Sequence, residues 1–308
     1  MNNMWGSMAQ FDAIYWPWPI AIYLFLAGLS AGAMMVAVIQ NWRGKNDACF
    51  KAAAILAPLT ISVGLVLLVL DLGKPLDFYW ILLKYNFTSV MSLGVALLLI
   101  YTPLAFIYAA VAFKDSAVLS AFKGLLAKIA TCGFLKFIEI LLFVLAIGVG
   151  VYTGFLLSAV SKILLWSNPI LPILFLVSGF SSGVAASVLC GIWFFNASVD
   201  KHSVSLLLRL DLFAIVFEAI LIGILFAFVS SNGVSGVEFV KNALSVGGLA
   251  TMFWVGVVVV GLAMPILIDL IALKNHAYKP SVIVLNTLLV LVGVVLLRCY
   301  IVYAGQIL

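Results

Sequence analysis

The chain is poor in charge. Of its 308 residues, 9% are charged and 66% are hydrophobic, whereas soluble domains carry about 25% charged residues. That excludes a separate soluble domain and points to one integral membrane domain over 1–308. Histidine is nearly absent too. His202 and His276 both fall in expected loops, so no pair of histidines stands inside a span to ligate a transmembrane haem b. Cys49, Cys132, Cys190 and Cys299 form no CxxC pair. Neither an iron–sulfur cluster nor a metal site is indicated, and small apolar packing is the expected role of these residues. Residues 1–18 contain no Lys or Arg. They lack the basic region of a cleaved signal, and the first apolar segment is expected to be retained. The net charge of +5 sits mostly in short loops. There it reads as an orientation signal, not as an affinity for nucleic acid.

What the chain has in abundance is long apolar runs. Windows of about 20 such residues mark transmembrane helices. Eight are found, at 19–40, 52–71, 87–113, 131–158, 169–195, 204–230, 248–273 and 281–305. The expected fold is an all-α polytopic membrane protein. Loops after the first, third, fifth and seventh spans carry Arg43, Lys45, Lys51, Lys114, Lys123, Lys128, Lys201, Lys274 and Lys279, against Lys74, Lys84, Lys162 and Lys241 on the other side. The first set is therefore expected in the cytoplasm, and both termini are expected to be extracytoplasmic. Residues 114–130 read as a short interfacial helix, with Phe122, Leu125 and Leu126 toward lipid. The first span contains Gly28-Leu-Ser-Ala-Gly32 and the fifth contains Gly179-Phe-Ser-Ser-Gly183. Both are small-xxx-small faces that permit close helix approach. Four spans apart and running the same way, they imply two four-helix bundles, 1–160 and 161–308, about an axis along the membrane normal.

A charge at the bilayer centre costs roughly 2.5–3.5 kcal/mol on insertion scales, so charges inside spans are informative. They are Lys136 and Glu139 in the fourth span, Arg209, Asp211 and Glu218 in the sixth, Asp269 in the seventh and Arg298 in the eighth, with Asp71 closing the second. Lys136, Arg209 and Asp269 have a plain reading as snorkelling residues at the inner interface. Glu139 has one as the i+3 partner of Lys136. Glu218 and Arg298 are too deep for such readings. By depth, Tyr23, Tyr152, Asp71 and Arg298 share the outer level. Glu139, Asp211 and Glu218 form a carboxylate ladder beneath them, a candidate proton path. The alternative for the tyrosines is an interface belt, and for Asp71 a helix-end pair with Lys74.

This set suits a quinone. Such a ligand needs an apolar cleft, donors at its carbonyls and groups that exchange protons. Tyr and Arg supply the donors, and Asp71, Asp211 and Glu218 the proton exchange. The alternative is a proton-coupled transporter or channel using the same carboxylates. That class more often shows matched Gly/Pro interruptions. Here Pro172 and Pro265 are unmatched, and the second and sixth spans are read as having no internal proline. A passive membrane anchor is a third reading. Over the outer level lies the stretch 69–92, with Asp71, Gly73, Pro75 and the aromatics Phe78, Tyr79 and Trp80. It reads as a lid, and with Trp5, Trp16 and Trp18 as part of a docking surface.

Two blocks carry a resemblance. One is Pro17-Trp18-Pro19-Ile-Ala-Ile-Tyr23-Leu-Phe-Leu-Ala-Gly28-Leu-Ser-Ala-Gly32. The other is Asp71-Leu-Gly73-Lys74-Pro75-Leu followed by Ser89-Val90-Met91-Ser92-Leu-Gly94. On these the chain resembles, over essentially its full length, the NrfD/PsrC family of membrane subunits, and within it the polysulfide-reductase branch. It departs from the family pattern at Lys74, where Arg is frequent, and at Val90, where Pro is common. The resemblance implies a cofactor-free, eight-helix, quinone-reactive subunit in a bacterial inner membrane. It implies menaquinol as the substrate oxidised near the outer face. It implies an extracytoplasmic iron–sulfur subunit as partner, with a molybdopterin catalytic subunit beyond it. Tyr23, Asp71, Tyr152, Asp211, Glu218 and Arg298 match positions associated with activity in that branch.

Overall fold

The computed structural model describes residues 16, 18–71, 89–114, 124, 134–160, 163–195, 200–245, 247–275 and 279–307. Among them every regular element is a helix. The order is α1 (Trp18–Trp42), α2 (Ala48–Leu70), α3 (Val90–Ala112), α4 (Phe134–Ser158), α5 (Leu171–Phe194), α6 (Lys201–Ser230) and a short α7 (Val234–Ser245). Then come α8, built from Gly247–Thr251, a π-helical stretch Met252–Ala263 and Met264–Asn275, and α9 (Pro280–Ile307). Eight of these are long and apolar enough to cross a membrane. At 12 residues α7 is not. The sequence does not signal it, because its apolar residues form no span-length run. Gly236, Phe239 and Ala243, three to four residues apart, make its buried face.

Local chemistry sets the helix ends. Gly44, at φ 68°, takes the left-handed conformation that ends α1 and lets Lys45 N–H reach back to Gln40 O at 3.0 Å. Asp47 then caps α2 by accepting from Phe50 N at 3.0 Å. The reading of the second span as free of proline is wrong: Pro58 stands inside α2, and Pro103 stands inside α3. Both helices continue through their prolines without forming separate half-helices. The irregular backbone lies in α8 instead. There Gly261 packs backbone to backbone on Gly293 of α9.

The centre of the molecule is the crossing of α1 and α5, the two most buried spans. The two glycine motifs meet there. A Cβ built on Gly28 would lie 3.3 Å from Gly179 Cα, and one on Gly32 or Gly183 would overlap the other helix's backbone. Side chains any larger would hold the helices apart, so the repeated motif is the contact itself. Around this pair α2, α3 and α4 pack on the α1 side, and α6, α8 and α9 on the α5 side, with α2 and α4 also touching α5.

Even helix number brings the chain ends to one face. Trp16 O accepts from Gln306 Nε2 at 3.1 Å, Trp16 N donates to Gln306 Oε1 at 2.5 Å, and the Trp16 ring lies 5.2 Å from that of Trp166. The Trp166 indole donates to Ile301 O at 2.8 Å. Trp16 therefore serves packing between the chain ends, while Trp18 is exposed. On the opposite face Lys45 and Asp200 pair at 2.9 Å, tying the α1–α2 turn to the start of α6. The Lys45 hydrogen bond, aided by His202 N–H, holds the Asp200 carboxyl below its ordinary pKa. The expected interfacial helix at 114–130 and the stretch 72–88 lie outside the described residues, apart from Lys114 and Gly124, as does Trp5.

Candidate functional site

The two tyrosines are seated on glycines. Tyr23, fully buried, lies against Gly64 of α2, where a Cβ would come 3.3 Å from Tyr23 Cδ2. Tyr152, 8% exposed, lies with its ring over Gly94 of α3, and any Cβ there would overlap the ring. The rings are electrostatic neighbours, and the Tyr23 hydroxyl has no hydrogen-bond partner. At 1.5 Å per residue both lie about 8–9 Å in from the face holding the chain ends. Asp71 caps the C-terminal end of α2, its N–H reaching Leu67 O at 3.1 Å. It stands seven residues, two turns, beyond Gly64 on the same side of α2, so it overlooks the Tyr23 contact at a rise of about 10 Å. Asp71 is partly buried, and burial raises its carboxyl above the ordinary pKa. Thus α1, α2, α3 and α4 bring Tyr23, Tyr152 and Asp71 to one end of the molecule.

Arg298 lies deeper, about 13 Å from that face, and toward α5. Its Nη2 donates to Phe175 O at 2.9 Å and to Ser178 Oγ at 2.7 Å, and its guanidinium lies 3.6 Å from the Phe175 ring centroid. The same Nη2 is 3.4 Å from where a Gly28 Cβ would be, so the glycine that permits the α1–α5 crossing also admits the arginine. Arg298 is fully buried, and its Nε and Nη1 have no partner. A buried cation with unused donors is costly unless something charged or polar meets it.

Glu218, 3% exposed, is an electrostatic neighbour of Arg298, though not within ion-pair distance. Asp211 neighbours Glu218 in turn, and Asp269 neighbours Asp211. Asp211 accepts from Ser181 Oγ at 2.6 Å, and Asp269 accepts from Asn286 Nδ2 at 2.8 Å. One oxygen each of Asp211 and Asp269 is buried without a partner. The result is a series, Asp269–Asp211–Glu218–Arg298, stepping through the α5–α9 side. Asp269 does not snorkel; it is 1% exposed and belongs to this series. Its buried amide partner, Asn286 near the start of α9, is the available signal in the sequence. Arg209 is exposed, in keeping with snorkelling.

Glu139 stands apart from the series. Its carboxylate accepts from Asn41 Nδ2 at 2.5 Å and from the Trp42 indole at 2.9 Å. The pairing with Lys136 is not made, because Lys136 is exposed while Glu139 is 2% exposed. Within the α1–α4 side a further polar contact crosses the core: Ser30 Oγ donates to Ala57 O at 2.6 Å and lies 2.9 Å from the Tyr101 hydroxyl. No group of three or more His, Cys, Asp or Glu is placed to hold a metal ion among the described residues.

The family model for polysulphide reductase, NrfD, matches residues 6–308. The chain belongs to the NrfD family. A polysulfide reductase chain of Wolinella succinogenes is 46% identical over 313 aligned residues, covering 99% of each protein. The NrfD protein of Escherichia coli is 32% identical, covering 97% of this chain and 98% of its own length. A selenate reductase subunit of Mesobacillus selenatarsenatis is 25% identical over 82% of this chain and 66% of its own length. As an NrfD-family chain with eight spans, this is a multi-pass membrane protein. Two of these relatives are named for different reductases, of polysulfide and of selenate, so similar chains occur with more than one reductive chemistry.

Proposed function

We propose that this NrfD-family chain is the quinol-oxidising membrane subunit of a reductase complex, in a bacterial cytoplasmic membrane with both termini outside. Menaquinol, the substrate, enters from the lipid and binds beneath Asp71. The observation that carries this reading is three buried donor atoms, on two residues, with nothing to donate to: the Tyr23 hydroxyl and the Nε and Nη1 of Arg298. With Tyr152 they supply hydrogen bonds for the oxygens of a flat, apolar ligand. Asp71, near the surface and with its charged form disfavoured by burial, accepts a proton as the quinol is oxidised. The two electrons leave for an iron–sulfur subunit docked on the face of the chain ends, with a molybdopterin subunit beyond it. No residue set of this chain is assigned to relay them, so quinol and cluster must lie close together. The series Asp269–Asp211–Glu218 carries protons between the opposite face and Arg298, and Glu139 marks a separate entry beside α1. The repeated glycine faces support two halves, 1–160 and 161–308, joined at the α1–α5 crossing.

The experiment is purification from the native membrane. Quinone in the lipid extract, together with a co-purifying iron–sulfur protein, supports the reading; a chain that purifies alone and quinone-free, yet moves protons in vesicles, overturns it. That second outcome would fit a proton-coupled transporter, which the buried carboxylate series favours. Against it, α2 and α3 run unbroken through Pro58 and Pro103, with no paired half-helices among the described residues.

A further inference from the structure

The face opposite the chain ends holds a cavity remote from Tyr23, Tyr152 and Asp71. It has a volume of about 350 Å³ and opens between the ends of α1 and α3 and the starts of α2 and α4. Lys51, Lys114, Asn41, Asn46 and Tyr108 supply its polar lining, and Phe50 is part of its apolar floor. Lys51 and Lys114 are half-buried, and neither forms an ion pair among the described residues. Tyr108 is 2% exposed, its ring is edge-on to Phe50 at 6.3 Å, and its hydroxyl has no partner. Two ammonium groups, two side-chain amides and a buried hydroxyl thus belong to residues around one concave space, and no carboxylate is among its described lining residues. Two carboxylates stand behind that lining and are held there: Glu139 accepts from Asn41 Nδ2 and the Trp42 indole, and Asp47 Oδ1 accepts from Phe50 N.

We propose that this cavity binds a phosphate anion of the kind an acidic phospholipid carries in its headgroup. Three features argue for it. The donor set has the sign and number that a phosphate's oxygens accept. The volume exceeds that of several water molecules at about 30 Å³ each, enough for a phosphate with its solvent. The cavity also lies where spans give way to the lysine-rich loops, the level at which basic clusters meet anionic headgroups. Tyr108 fixes the depth: its unpartnered hydroxyl marks the end of the cavity that a phosphate oxygen reaches. The inference rests on this cavity alone and does not depend on quinol oxidation.

The test uses the full chain in neutral detergent, titrated in separate arms with dioctanoyl phosphatidylglycerol, dioctanoyl phosphatidylcholine and inorganic phosphate, with bound species counted by native mass spectrometry. One phosphatidylglycerol per chain is expected to persist, with phosphatidylcholine binding weaker. Lysines near a charged headgroup contribute roughly fivefold each, so the Lys51→Gln/Lys114→Gln double variant is expected to bind about 25-fold more weakly. Tyr108→Phe, which keeps the ring and the fold, is expected to lose about fivefold. Lys279→Gln, on the same face but outside the cavity, is expected to change nothing. Displacement of the lipid by millimolar inorganic phosphate assigns the site to the free ion and leaves the phosphate chemistry standing. Equal retention of phosphatidylglycerol by the wild type, the double variant and Tyr108→Phe overturns the proposal, as does equal binding of phosphatidylcholine.

Discussion

The ring of Tyr152 occupies the space that a side chain on Gly94 would fill. A residue on α4 and a residue on α3 thus form one feature, and the glycine is there for the ring. Gly94→Ala is expected to push Tyr152 from its seat, at an overpacking cost of about 1–3 kcal/mol. In the assembled complex, quinol oxidation should fall while subunit assembly is kept. Assembly by size-exclusion chromatography and turnover with a naphthoquinol separate the two effects.

The α1–α5 crossing sets a second expectation. Gly183→Ala places a methyl group into the backbone of α1 at Gly32 and Ala33. Because backbone cannot move aside as a flexible side chain can, the variant should lose several kcal/mol or fail to accumulate. Gly223 of α6 has open space at its Cβ position. Gly223→Ala should be neutral or stabilising by up to about 1 kcal/mol. Unfolding in mixed detergent micelles compares them.

Glu139 makes a third. Its two oxygens accept from two donors at the C-terminal end of α1. Glu139→Gln turns an NH₂ toward one of those donors and should cost about 1–3 kcal/mol. Lys136→Ala, exposed and unpaired with Glu139, should be near neutral. The same unfolding measurement would show the opposite ranking if the carboxylate depended on Lys136.

The spans are legible in the sequence because an apolar run of sufficient length is a one-dimensional signal. The ends found for α1 to α6, α8 and α9 differ from the expected ones by four residues at most. The glycine repeat is legible as two motifs. That the motifs touch each other is not, since chain spacing says nothing of which helices are neighbours. Glu139 and Asp269 show the same limit. Spacing along α4 offers Lys136, but the real partners, Asn41 and Trp42, come from another helix. Asp269 sits near a helix end, which reads as snorkelling until the packing of α6 and α9 encloses it. Asp71, Tyr23 and Tyr152 are legible by depth, whereas the glycines that seat the two rings become visible only once the helices are packed. Arg298 is legible as buried, but its partners Phe175 and Ser178 on α5 are not.

In the proposed reaction, Asp71 sets the pH dependence. Burial raises its carboxyl above the ordinary value, near 4 for a free aspartate, and only the ionised form accepts a proton. The acid limb of kcat/KM for quinol oxidation should therefore lie above the ordinary carboxylate range: activity is lost as pH falls through the raised value. In Asp71→Asn that limb should vanish along with about 10²–10⁴ of the rate. An Asn variant that keeps both its rate and its acid limb would remove Asp71 from proton transfer.

The most direct measurement is single-turnover reduction of the clusters of the proposed iron–sulfur subunit by a naphthoquinol, in complexes assembled with wild-type chain and with Tyr152→Phe. Removing one positioned hydroxyl while leaving the ring on Gly94 should slow cluster reduction about a hundredfold, with assembly and cluster content unchanged. Cluster reduction at the wild-type rate in the fully assembled Tyr152→Phe complex would contradict the account.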